Sequence, residues 1–245
     1  MTSTTVRIDP AAVARCARHL GAVVDSLFAP LEILSDRLDL AWRSAAALGA
    51  GFSTEDLAAL EPSIFQSLDR VPEFDGAGYV MAVGSLVDRD RYLEWWHRGG
   101  EAVYHPLILN LDPSSPDHYD YDSMEWFVAG SAEGRRFVSG PLIDLPCAES
   151  HIMTFSRPVV VDGVFVGVAG ADVAMSRLEA LVVPPLRRLG APAVLVNGHR
   201  RVIAGSHARW AAGDKLRSLP SLGEGEWQAT YPGTRDLGWV LGVAW

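Results

Sequence analysis

Side chains able to do chemistry are spread along this 245-residue chain without forming a catalytic signature. The sequence contains no GxSxG, HExxH, P-loop or strand-positioned GxGxxG pattern, and Gly76-x-Gly78 lacks a third glycine. Lys215 is the only lysine, which leaves little scope for Schiff-base chemistry. Cys16 and Cys147 lie far apart with no CxxC spacing, so they give neither a zinc site nor a disulfide framework and are expected to be buried thiols. Asp117, His118, Asp120 and Asp122 come nearest to a metal cluster. Their run lacks the glycine at position six and the closing glutamate of an EF-hand loop, so it reads as a solvated acidic loop with no metal. Two carboxylates in apolar settings remain. Asp144, between Ile143 and Leu145, is either a purposeful polar group or a turn carboxylate. Asp172, after a run of small apolar residues, is either a binding group or the N-cap of a helix beginning near Ala174. The adjacent Trp126 and Phe127, and the trio Tyr92, Trp95 and Trp96 at helical spacing, read first as packing residues, with a pocket role, for the trio as an aromatic cage, as the alternative.

The surrounding composition narrows the classes further. With 49% hydrophobic and 21% charged residues the chain can bury a substantial core, as one large domain or one domain with a smaller companion. There are 21 basic and 30 acidic side chains, a formal net charge of −9, which disfavours nucleic acid and anionic membranes and suits a cationic small ligand. Between Arg187 and Arg217 seven basic residues face one acidic residue, Asp214. Without a stacking motif or recognition helix this stretch reads as a solvated face or a face for an acidic partner. The amino-terminal MTSTTVRID is polar, and the apolar run from Pro158 to Met175 is broken by Asp162 and Asp172. The expectation is a cytosolic protein without a membrane span.

The elements that must position these residues can be read from periodicity. Apolar residues from Val13 to Leu38 recur at steps of three and four, predicting one long helix over Pro10–Leu40 with Asp9 as cap and a possible bend at Pro30. A second helix is expected over Thr54–Leu68 behind Ser53, ended by the Gly/Asp run at Phe74–Gly78, then a strand at Gly78–Val83 and a helical segment at Asp88–Arg98. Leu111–Asp122, rich in Pro, Ser and Asp, reads as a surface loop. Val159–Val161, Asp162-Gly163 and Val164–Ala169 form the strongest hairpin signal in the chain. Val194–Val196, Asn197-Gly198, Val202–Ala204 and a closing strand at Gly238–Trp245 repeat the style in miniature, with the proline-rich Val183–Pro192 as the join.

The ordered set Trp126-Phe127, Gly140-Pro141-Leu142-Ile143-Asp144, IMTFSRP at Ile152–Pro158 and VVVDGVFVGVAGAD at Val159–Asp172 resembles the Cache sensor domains, relatives of the PAS fold. The match runs over about a hundred residues, and the tail from Ala193 looks like the truncated second module of a double Cache domain. The resemblance implies an α+β fold, a long N-terminal helix packed on a curved antiparallel sheet, with residues 1–182 as helix plus ligand-binding domain and 183–245 as a smaller second subdomain. It also implies a small-molecule site. In members that bind amino acids a tyrosine, an arginine, a tryptophan and a tyrosine are followed by a closing aspartate. Tyr119, Trp126 and Asp172 fill three of these slots here, Phe127 replaces the second tyrosine, and Asp144 is retained from the "Pro-Tyr-x-Asp" element, where Leu142 replaces the tyrosine. Met124 stands where arginine is expected. An arginine forks onto a ligand carboxylate, whereas methionine offers a soft apolar surface, so the set looks like an amine-recognising variant.

The resulting expectation is a cofactor-free sensor, not an enzyme, for a small amine or quaternary ammonium ligand. It would signal by association with a separate regulator and as a homodimer paired through the long helix, with Val23, Phe28 and Ile33 outside the core stripe. The alternatives are a small-molecule enzyme or an amino-acid sensor using the same pocket, with Arg91, Arg98 or Arg157 reaching in to restore the carboxylate clamp.

Overall fold

A computed structural model describes residues 8–100, 103–144, 150–234 and 236–245. The chain is α+β, with a long N-terminal helix and two antiparallel sheets. It divides into two units. The larger holds Leu27–Ser139 and Asp144–Ala174; the smaller is assembled from Met1–Ser26, Gly140–Ile143 and Met175–Trp245. The boundary expected at 182/183 thus falls inside helix α5 (Met175–Arg187), which is grouped with the smaller unit.

Helix α1 (Pro10–Ala47) runs through Pro30 as a single element. The Asp9 carboxylate accepts from the Ala11 amide at 2.9 Å, capping the start. Leu27, Phe28, Leu31, Leu34 and Leu38 bury their side chains almost completely in the larger unit. Phe28 was expected on an outward face for pairing. It is instead 1% exposed, edge-on to Phe155 at 5.2 Å and under the Arg136 guanidinium, because the buried stripe is wide enough to include it. Val23 is half-buried, and Ile33 remains exposed.

The helix expected over 54–68 is two helices, α2 (Thr54–Ala58) and α3 (Glu61–Arg70), with Ser53 in a capping box with Asp56 ahead of the first. The larger unit then builds a six-stranded sheet from β1 (Phe74–Met81), β2 (Leu93–Gly100), β3 (Val103–Pro106), β4 (Phe137–Asp144), β5 (Ser150–Val161) and β6 (Val164–Ala174), in the order β3-β2-β1-β6-β5-β4. Phe74–Gly78 therefore opens a strand and does not merely end a helix. The segment read as helical at Asp88–Arg98 is mostly strand, β2. Trp95 and Trp96, with Tyr92 just ahead of the strand, imitate the three-and-four spacing of a helix because the strand presents apolar side chains on both faces and so shows no clean alternation.

The hairpin at Asp162-Gly163 stands as read. Val161 pairs with Val164, and both turn residues have positive φ, 51° and 82°, the left-handed pair that a two-residue turn between twisted strands requires. Helix α4 (Glu125–Glu133) follows the acidic loop and a 3-10 turn at Tyr121–Ser123.

The register defines two faces of the sheet. Ala77, Tyr79, Phe155 and Arg157 belong to the face toward α1, where the Tyr79 hydroxyl donates to the Leu34 carbonyl at 3.1 Å and Arg157 pairs with Glu32. Gly78, Val80, Leu93, Trp95, Thr154, Ser156, Val168, Gly170 and Asp172 belong to the other.

The smaller unit has its own four-stranded sheet, ordered β8-β7-β10-β9, from β7 (Ala193–Val196), β8 (Val202–Gly205), β9 (Trp227–Thr234) and β10 (Trp239–Ala244). Asn197-Gly198 opens a five-residue connection, not a two-residue turn: the Asn197 side chain accepts from the amides of His199 and Arg201, and Arg200 takes positive φ. The expected proline-rich join begins later than read, since Pro184 and Pro185 lie inside α5. Each removes an N–H donor to the preceding turn, and the helix ends within three residues of them. Among the described residues no helix is long and apolar enough to cross a membrane.

Candidate ligand-binding site

The face of the larger sheet turned away from α1 carries a cavity of about 70 Å³. By volume this holds a few waters or a ligand of few non-hydrogen atoms. Its floor comes from three neighbouring strands: Val80 of β1, Val168, Gly170 and Asp172 of β6, and Ile152, Thr154 and Ser156 of β5. Leu93 and Trp95 of β2 close one side. Leu107, Leu109, Tyr119 and Tyr121 from the chain after β3 and Trp126 from α4 complete the wall.

Local sequence explains why polar atoms end up here. In Ile152-Met153-Thr154-Phe155-Ser156 every second residue turns to the cavity, so β5 delivers two hydroxyls to the floor beside Asp172 while Met153 and Phe155 enter the core. Thr154 is the cross-strand partner of Asp172, and its hydroxyl donates to an Asp172 carboxylate oxygen at 2.7 Å. Asp172 is 8% exposed and sits within β6, so it is a floor residue of the cavity and not the N-cap of the following helix. The Ser156 hydroxyl donates to the Trp126 carbonyl at 2.8 Å, tying α4 to the sheet. The Tyr121 hydroxyl donates to the Met81 carbonyl at 3.0 Å, and burial pushes its pKa up to about 12, so it stays neutral.

Of the six residues singled out in the sequence, the structure brings Tyr119, Trp126 and Asp172 together on the cavity wall. Phe127 is not on it. Consecutive helical residues point about 100° apart, so a Trp126 that faces the cavity turns Phe127 into a cluster with Tyr121 at 5.3 Å and Phe165 at 5.4 Å. Met124 stands at the N-cap position of α4 and packs half-buried behind the wall. Asp144 ends β4, and its side chain lies outside the described residues, as does Cys147. Cys16 is buried, and loss of solvation pushes its thiol up to about 11.

Trp95, named in the sequence only within the aromatic trio, and Tyr121, Thr154 and Ser156, which it did not single out, also line the cavity. The alternating hydroxyls in β5 were the available signal for two of them.

The arginines near this face are held elsewhere. Arg91 makes a two-pronged pair with Asp122, at 2.5 and 2.9 Å, and lies over the Tyr121 ring at 5.6 Å. Arg98 reaches the carbonyls of Leu68 and Phe74 on the opposite face, and Arg157 reaches Glu32 at 3.1 Å. Among the described residues the cavity lining contains one carboxylate and no arginine, lysine or histidine. Among the described residues no group of three or more His, Cys, Asp or Glu side chains could hold a metal ion.

Residues 61–180, which include every residue lining the cavity, match the family model of the methyl-accepting chemotaxis protein-like first PDC sensor domain. No curated protein matches the sequence. Several solved structures share the fold. The sensory domain of the Campylobacter jejuni chemoreceptor Tlp3 superposes with a TM-score of 0.64 at 11% identity, over 95% of this chain and 89% of that one. The ligand-binding domain of the Pseudomonas aeruginosa amino acid chemoreceptor PctB, in complex with L-Arg, gives 0.63 at 16% identity, over 94% and 90%. That of PctC from the same organism, in complex with GABA, gives 0.58 at 17% identity, over 94% of both chains. Residues 61–180 therefore carry the sequence signature of a Cache-like sensor domain, set in a fold shared with chemoreceptor sensory domains.

Proposed function

We propose that the protein is a sensor that binds a small organic cation, an amine or quaternary ammonium compound without a carboxylate, in the cavity floored by Asp172. The observation that carries this reading is the charge of the lining, one carboxylate and no cation among the described residues. Trp126 and Tyr119 add aromatic surface, which attracts a cation through the ring quadrupole. An α-amino acid would place its ammonium equally well but would also bury a carboxylate with no charged partner, a penalty of several kcal/mol. The three arginines that could supply one are held by Asp122, by backbone carbonyls and by Glu32.

PctB and PctC are in complex with ligands that carry both an ammonium and a carboxylate. An amino-acid sensor is the competing reading, and an enzyme reusing the cavity is the third. Output through a separate regulator, and pairing of two copies along α1, belong to the same proposal. The apolar surface available for pairing is Ile33 and Leu40, 46% and 60% exposed and two helical turns apart.

Thermal unfolding against matched pairs, each an amino acid and its decarboxylated amine, tests the ligand class. At a hundred times its Kd a ligand that binds only the folded state stabilises by about 2.7 kcal/mol, which for a chain of this size is a Tm rise of roughly 5 to 10 °C. The amine member is expected to give that rise and the amino acid none. Asp172→Asn should remove it while leaving the ligand-free Tm within a few degrees. A rise with amino acids alone defeats the amine assignment, and product detected by mass spectrometry defeats the sensor-only reading.

A further inference from the structure

Trp95 forms one side of the cavity and is 6% exposed, yet its indole Nε1–H has no hydrogen-bond partner among the described residues. Buried indole donors ordinarily find an acceptor, so an unpaired one on a cavity wall calls for a group that is supplied from the cavity. The ring lies where glycines leave room for it. A Cβ on Gly76 would come within 2.8 Å of Nε1, and one on Gly170 within 3.0 Å of Cη2. These contacts fix the indole's long axis across the sheet, with Nε1 at the Gly76 end. Gly76 is the direct cross-strand partner of Asp172. The donor and the carboxylate thus stand at the same level of the sheet, on a spacing of about 5 Å between neighbouring strands.

Three hydroxyl protons of the floor and wall are committed: Thr154 to Asp172, Ser156 to the Trp126 carbonyl, Tyr121 to the Met81 carbonyl. What these hydroxyls still offer a ligand is acceptor capacity, which suits an N–H or a cation and not a second oxygen. The Trp95 Nε1–H is a donor of the opposite kind, still to be matched.

Resting on the amine reading above, we infer that Trp95 sets ligand choice within that class: the ligand carries, two or three bonds from its cationic nitrogen, one uncharged acceptor such as a hydroxyl, ether or carbonyl oxygen that receives the Trp95 Nε1–H. A single neutral donor matches a single neutral acceptor. It does not match a carboxylate, which needs two or more donors or a cation.

The test uses isosteric pairs that keep the cation and exchange only the acceptor: choline against trimethylpropylammonium, and ethanolamine against n-propylamine. Titration calorimetry on the wild-type protein is expected to favour the hydroxylated member of at least one pair by tenfold or more. The Trp95 indole ¹⁵N–¹H resonance should move downfield with that member only. In Trp95→Phe, the members of the pair should become equal while both still bind. Equal affinities within both pairs on the wild-type protein, or a preference that persists in Trp95→Phe, overturns the role of Trp95 and leaves the amine reading standing. If none of the four binds, the amine reading falls and takes this inference with it. Should Trp95→Phe fail to fold, the pair affinities and the indole resonance of the wild-type protein decide alone.

Discussion

The Trp95 ring fits beside the cavity because three positions next to it, of which Gly170 lies in the cavity floor, carry no side chain. Gly76, Gly78 and Gly170 sit beneath or beside Trp95, and at Gly78 even a methyl would approach the Glu94 carbonyl to 2.1 Å. Gly170→Ala is the informative change. Its methyl would meet Trp95 Cη2 at 3.0 Å and the Phe155 carbonyl at 3.1 Å, so the indole must tilt into the space a ligand would use. The expected outcome is a loss of amine affinity of tenfold or more, read by calorimetry, with a Tm drop of only a few degrees.

A different residue governs stability against pH. Glu94 is buried on the α1 side of β2, and loss of solvation raises its pKa although Trp96 Nε1 and the Tyr92 hydroxyl hydrogen-bond to it. A carboxyl that holds its proton more tightly when folded contributes stability that declines as pH rises from its ordinary 4.5 through its raised folded value. Glu94→Gln keeps an acceptor for Trp96 and removes the charge. Its Tm should therefore exceed the parent's at pH 8 and converge with it toward pH 4, as a pH series of melting curves would show.

At the scale of elements, local chemistry was legible and lateral pairing was not. The Asp162-Gly163 hairpin could be read because its signal lies within a dozen residues: two apolar runs and a dipeptide tolerant of positive φ. The capping box at Ser53 and the stripe of α1 are local in the same sense. Strand β2 was hidden. It is an inner strand covered on both faces, with Trp95 against the cavity and Trp96 edge-on to Phe65 at 5.0 Å, so a two-residue period never appears. With β2 misread, Trp95 could not be placed at the site, whereas Asp172 and Trp126 could, through a motif.

The loop after β3 shows a further lateral dependence. It carries Tyr119 and Tyr121 to the wall and is held to the start of β2 by Arg91 and Asp122. The Arg91 hydrogen bonds pull the Asp122 carboxyl down from 3.8 to about 2. Because that pKa is depressed in the folded state, the pair's contribution is complete above pH 4 and is lost as the pH falls toward 2. The side chains are partly exposed, so the global effect is modest, but the loop should loosen first. Near pH 3, hydrogen exchange at the Tyr119–Met124 amides, corrected for its intrinsic pH dependence, should accelerate ahead of the β5 and β6 amides. Arg91→Met should show the same acceleration already at pH 7. Uniform exchange across loop and sheet would mean that the pair does not hold the loop.

Over the whole molecule the −9 net charge conceals a division that appears only when the chain is sorted by structure. The smaller unit, assembled from three separated stretches, has 12 basic and 7 acidic side chains, a formal +5. The larger has 9 basic and 23 acidic, a formal −14. The basic stretch at Arg187–Arg217 was visible in the sequence as a local anomaly. Its counterpart was not, because the acidic excess is spread over more than a hundred residues and no single window stands out. The cavity lies wholly within the −14 unit, so the Asp172 carboxylate is reinforced at long range by like charges that also draw a cation in and repel an anion.

This field is screenable, since the Debye length shrinks from about 30 Å at 0.01 M salt to about 8 Å at 0.15 M. The affinity for a monovalent amine such as ethanolamine should therefore weaken several-fold between these concentrations, mostly through a slower association rate. Asp172, buried and at close range, is screened far less, so the affinity that remains at 0.5 M salt measures the local site, and Asp172→Asn should remove that remainder. A salt-independent affinity would mean that the acidic excess of the larger unit plays no part in gathering the ligand, and that the cavity recognises its cation by contact alone.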